Sequence, residues 1–85
     1  MSVPRAASDP DDPDLHALGA AIKGLRAERQ ISQEQLSLEA GLHRNYVGRL
    51  ERAELSPTFE PLVGIARALG IAPEELMRLY ERELP

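Results

Sequence analysis

Arg44, Asn45, Arg49 and Arg52 fall in one short stretch, HRNYVGRLER at residues 43–52, and their side chains share one kind of chemistry. An arginine guanidinium is a planar fork of donors that matches a guanine edge or a phosphate, and an asparagine amide can pair bidentately with adenine. Placed on a helix at about 100° per residue, these residues and Gly48 fall on the side opposite Val47. His43, Tyr46, Leu50 and Glu51 fall toward Val47, so that side is expected to face the protein. Arg44, Asn45 and Arg49 are the candidate base-edge readers. Gly48 sits mid-helix at a cost of ~1 kcal/mol relative to Ala, and the expected return is close approach of its backbone to a surface. An exposed row of arginines can also be no more than a solvated face. What separates the two readings is the element that precedes the row.

That element has its own punctuation. Ser32 followed by Gln35 forms a capping box, and Ile31 can staple onto Leu36 across it, so a short helix should begin at Ser32. It should run to about Ala40, where Gly41 supplies a left-handed closing residue. Only Leu42 and His43 then separate it from the arginine-bearing helix. So tight a connection forces a steep crossing, the geometry of a helix-turn-helix.

Other helices flank the pair. Leu15, Leu18, Ile22 and Leu25 recur at three and four residues and predict a first helix ending near Arg29, with Asp14 as its cap. Phe59, Leu62, Ile65, Ala66 and Leu69 predict a fourth, capped by Thr58, tolerating Pro61 in its first turn and closed by Gly70. Pro73 opens a fifth at its first position, followed by Glu74 and Glu75 at the positive end of the dipole. Leu76 and Leu79 face inward. Val63, Met77, Tyr80 and Leu84 fall on flanking positions, where they either complete the edge of the core or form a homodimer surface.

The chain has 85 residues and a net charge of −4, with 42% hydrophobic residues but only 4% aromatic. One small all-α domain with an aliphatic core fits that inventory. The acid is unevenly placed. Residues 1–14 contain one Arg and four Asp; residues 15–57 contain six Lys or Arg against five Glu. Local charge, more than the total, governs groove contacts. Residues 1–14, with Pro4, Pro10 and Pro13 among the aspartates, read as a disordered acidic arm, and residues 15–85 as the helix-turn-helix domain. The absence of cysteine excludes a disulfide framework and a Cys-based zinc site. No apolar run is long enough for a membrane span and the N-terminus lacks the apolar core of a signal peptide, so a cytoplasmic protein is expected. No nucleophile elbow, P-loop, metal spacing or paired-carboxylate arrangement is present, so neither enzymatic activity nor a cofactor or metal is expected.

From about Leu18 to Leu79 the chain resembles the XRE family, the phage-repressor type of helix-turn-helix. The resemblance rests on Leu25-Arg26, SQEQL with Ala-Gly at residues 32–41, LERAE at 50–54, Pro57, and IARALGI at 65–71. It implies a five-helix, lambda-repressor-like bundle with a recognition helix near residues 43–52 in the major groove. It implies roles as well: Ser32 and Gln33 on the DNA backbone, with Gln33 also bracing the recognition helix; base reading by Arg44, Asn45 and Arg49; phosphate contact by Arg52 and Thr58; and a structural ion pair between Arg26 and Glu51. His43 stands where the family usually has a capping Ser or Thr. Either that end of the helix frays, or the imidazole reaches a phosphate, or it lies unpartnered on the surface. Ala53 and Glu54 replace a glycine-containing turn, and Glu54 would repel a nearby phosphate.

The function implied is a sequence-specific transcriptional regulator, similar to small stand-alone regulators such as restriction-modification controller proteins. It would bind a palindromic operator on double-stranded DNA as a homodimer, with half-sites about one helical turn apart and no small-molecule ligand. The alternative is an antitoxin-like protein-interaction module on the same scaffold. The arginine face supports the first; the acidic arm and the C-terminal stripe support the second.

Overall fold

A computed structural model describes residues 11–85, and among them the backbone forms α1 (Pro13–Arg29), α2 (Gln33–Glu39), α3 (Tyr46–Glu51), α4 (Phe59–Ala68) and α5 (Pro73–Glu83). The all-helical class and the five-helix order expected from the sequence are those observed. Each helix places at least one aliphatic side chain in the centre: Ile22, Leu36, Val47, Leu50, Ile65 and Leu76 are all 0% exposed. Burial of each contributes about 1.5–3 kcal/mol. α1 packs on α3 and α5, α2 on α3 and α4, and α4 on α5. No described helix is long and apolar enough to cross a membrane.

The helix starts correct two expectations. α1 is capped by Asp12, whose carboxylate accepts the Asp14 N–H at 2.8 Å, and not by Asp14. Pro13 favours this earlier start because its fixed φ suits the first helical position, where no N–H is needed. The helix therefore includes Pro13 and Asp14, which the sequence reading gave to the arm; residues 1–10 of that arm lie outside the described residues. Thr58 does occupy the cap position of α4, but its hydroxyl makes no capping bond. Pro61 is the third helical residue and has no N–H for the hydroxyl to accept.

The helix ends repeat one device. At Gln30, Gly41, Ala53 and Gly70 the chain turns left-handed, with φ between 56° and 76°. After α2, Gly41 N–H bonds Leu38 O at 3.0 Å and Leu42 N–H bonds Ser37 O at 2.9 Å. These are the paired closing bonds of a Schellman turn. Gln30 and Ala53 make the equivalent pairs without being glycine.

Phe59 is the largest departure on the core side. It was expected among the packing residues of α4, yet it is 78% exposed, in a first turn where Thr58 and Glu60 are exposed as well. Of the flanking residues, Met77 and Tyr80 pack on the core and the Tyr80 hydroxyl donates to Asp14, while Val63 and Leu84 are half-buried.

Candidate nucleic-acid interface

The start of α2 is set by Ser32, whose hydroxyl oxygen accepts the Gln35 N–H at 2.9 Å, giving the Ser32 half of the expected box. Beyond Gly41 and Leu42 the chain turns at His43. Its carbonyl accepts the Tyr46 N–H at 2.9 Å and its ring Nδ1 accepts the Asn45 N–H at 3.1 Å. His43 thus fills the capping place usually held by Ser or Thr, with an aromatic nitrogen as acceptor. The regular helix is shorter than the segment read from sequence. It begins at Tyr46, and residues 43–45 form the turn that leads into it.

The next N–H of α3 is satisfied from outside the helix. Ser37 of α2 is fully buried; its Oγ accepts the Val47 N–H at 3.0 Å and donates to Gln33 O at 2.8 Å. α2 therefore supplies a cap for α3. Ser37 was missed in the sequence because a serine between Leu36 and Leu38 looks like an ordinary mid-helix residue.

A second brace ties α3 to α1. Arg26 of α1 grips Glu51 of α3 through Nε to Oε2 at 2.8 Å and Nη2 to Oε1 at 3.0 Å, and its Nη1 donates to Ile31 O at 3.0 Å. The two side chains are 17% and 4% exposed. The Glu51 hydrogen bond raises the Arg26 pKa above its ordinary value against the opposing effect of burial. Gln33 Nε2 completes the network by donating to Glu51 Oε1 at 2.9 Å.

Gly48 belongs to this interface and not to the outer face. A Cβ there would stand 3.0 Å from Gln33 Oε1 and 3.2 Å from an Arg52 nitrogen. Its close approach is to the Gln33 amide, which lies over it. The wheel placed Gly48 outward because it allowed for one packing partner, whereas α3 is flanked by both α1 and α2.

What remains outward is the set expected to meet a ligand. Arg44, Asn45, Arg49 and Arg52 are all exposed, as are Ser32, His43 and Thr58; Gln33 is half-buried. Asn45 and Arg49 lie one turn apart, joined by the Arg49 N–H to Asn45 O bond at 3.1 Å. Tyr46 lies beside Arg49; burial raises its phenol pKa, the guanidinium partly opposing, so the phenol stays a neutral donor. Arg52 donates to Glu54 through Nε at 2.8 Å and Nη2 at 3.3 Å, and Arg49 Nε is 3.9 Å from the same carboxylate. That pairing raises the Arg52 pKa and lowers that of Glu54.

Comparison with known proteins agrees with this geometry. A family model described as a helix-turn-helix matches residues 22–76. Control protein C.SmaI of Serratia marcescens is 37% identical over 60 residues, covering 71% of each chain. The immunity repressor protein of Bacillus phage phi105 is 41% identical over 54 residues; the match spans 64% of this chain and only 38% of the repressor's length. Among solved structures, the restriction-modification controller protein C.AhdI from Aeromonas hydrophila superposes with a TM-score of 0.74 at 37% identity, covering 76% of this chain and 98% of that one. The chain belongs to the XRE-type helix-turn-helix family of DNA-binding transcriptional regulators.

Proposed function

We propose that the protein is a cytoplasmic operator-binding regulator whose α3 enters the major groove as one half of a two-fold dimer. Arg44, Asn45 and Arg49 read base edges. Ser32, Gln33, His43, Arg52 and Thr58 meet the sugar-phosphate backbone. The observation that carries this reading is the division of α3 into two sides. Its inner side is fixed by Ser37, Gln33 and Arg26, while Arg49 on its outer side, with Arg44 and Asn45 in the turn before it and Arg52 just after it, is exposed to solvent. A rigidly held helix with exposed bidentate donors is what discrimination between bases requires.

Dimerisation is supported by the remaining apolar surface. Val63, Met77, Tyr80 and Leu84 are each partly exposed, and Phe59 adds a ring that a lone subunit would leave in water. The similarity to restriction-modification controller proteins supports a role in controlling such a gene set.

Selection of bound sequences from a random duplex library tests the proposal. Recovery of a palindromic site, bound far more tightly than scrambled duplex and with an affinity that falls as salt rises, is the expected result. Failure of a folded sample to enrich any duplex at low salt would refute it.

A further inference from the structure

Glu54 is a carboxylate set among the residues that should meet an anionic ligand, and its position is not casual. Ala53 is fully buried and holds φ at 59°, a left-handed conformation that is costly for a residue with a Cβ. The turn is fastened by Ala53 N–H to Leu50 O at 3.0 Å and Glu54 N–H to Arg49 O at 2.9 Å. It fixes the Glu54 backbone against the last turn of α3. From there the carboxylate takes the Nε and Nη2 donors of Arg52 and lies 3.9 Å from Arg49 Nε.

Helix stability does not account for this arrangement, because a negative charge just past a helix C-terminus faces the unfavourable end of the dipole. The pair itself is exposed, and such pairs contribute little to folding. Its consequence lies in ligand competition. The donor edge of Arg52 that holds Glu54 is the edge that would fork onto a phosphate.

We infer that Glu54 is a specificity-determining residue that occupies Arg52 and draws on Arg49, weakening binding to non-operator DNA more than to the operator. The inference rests on the DNA-binding reading above. Competition at Arg52 weakens a phosphate contact made on any duplex, but non-operator DNA offers Arg49 only phosphates as well, so there the carboxylate opposes both arginines. In the operator complex, contacts from Arg44 and Asn45 to base edges are untouched by Glu54, and Arg49, held from one side, reaches its base already oriented. Specificity is a difference of affinities, and a repulsive group that acts mainly on the wrong complex increases it.

The test measures affinities of the wild type, Glu54→Gln and Glu54→Ala for the selected operator and for scrambled duplex across a salt series. Glu74→Gln, on the exposed first turn of α5, is the control for an equal change in net charge. Both Glu54 variants should bind scrambled duplex about two- to fivefold more tightly, as expected for release of an exposed pair. Operator affinity should rise less, so the specificity ratio falls, and Glu74→Gln should leave that ratio unchanged. Equal gains on both duplexes, no gain on scrambled duplex, or the same fall with Glu74→Gln would each overturn the inference while leaving operator binding intact. Absence of DNA binding by the wild type would remove the reading on which it rests, and the inference with it.

Discussion

Ser37 and Val47 are joined across the helix-turn-helix by a single hydroxyl, which accepts the Val47 N–H and donates a hydrogen bond to the Gln33 carbonyl. The first turn of α3 is thereby closed by the helix before it, and the angle between the two helices becomes part of the cap. Replacing Ser37 by Ala would strand a buried N–H, which costs about 1–3 kcal/mol. Chemical denaturation should register that loss, and hydrogen exchange should show faster opening at Val47. An unchanged midpoint with unchanged exchange would mean that the bond contributes nothing net.

The Arg26–Glu51 pair makes a larger prediction. Glu51→Gln keeps the shape but leaves a mostly buried guanidinium without its counter-charge, and removing one member of such a pair costs about 3–5 kcal/mol at full burial. Arg26 remains 17% exposed, so the expected loss lies toward the lower end of that range. A double-mutant cycle with Arg26→Met and Glu51→Leu should show the double variant recovering much of the single losses. Strictly additive losses would indicate that the two residues act separately.

Two glycines of α1 should respond to the same substitution with opposite sign. A Cβ on Gly19 would meet the Glu51 Cα and carbonyl oxygen at 3.0 Å and the Leu50 oxygen at 3.1 Å, all of them backbone atoms that cannot swing aside. Gly19→Ala should push α3 off α1 and cost about 1–3 kcal/mol. Gly24 has nothing within 4 Å of its would-be Cβ, so Gly24→Ala should add about 1 kcal/mol of stability through helix propensity alone. Thermal unfolding of the two variants decides it; a shift of the same sign in both would show that the contact at Gly19 is not what selects glycine there.

What was legible in the sequence was what local signals encode. Apolar periodicity marked α1 and α4, Ser32 and Gly41 marked both ends of α2, Pro73 marked the start of α5, and the spacing of Arg26 and Glu51 within the family pattern placed a pair that the structure closes at 2.8 Å. Contacts between elements were less visible. Gly48 looked outward on a wheel because Gln33, the residue over it, belongs to another helix. Ser37 and Gly19 carry no local signal beyond a weak helix preference, since the partners that select them, Val47 and Glu51, are far along the chain. The left-handed turns at Gln30 and Ala53 escaped notice because neither residue is glycine; paired backbone hydrogen bonds close both turns. On the candidate interface, residue types were readable, whereas the engagement of Arg52 by Glu54 required a turn geometry that only the folded chain displays.

In the proposed complex Arg49 reads a base while Arg52 holds the backbone. Equilibrium binding of Arg49→Ala and Arg52→Ala to the selected operator and its single-base variants separates the two roles. Arg49→Ala should abolish discrimination at one position, worth about 1–3 kcal/mol. Arg52→Ala should weaken every duplex alike and reduce the salt slope by about one. Uniform losses on all duplexes from both variants would contradict the assignment of base reading to the outer face of α3.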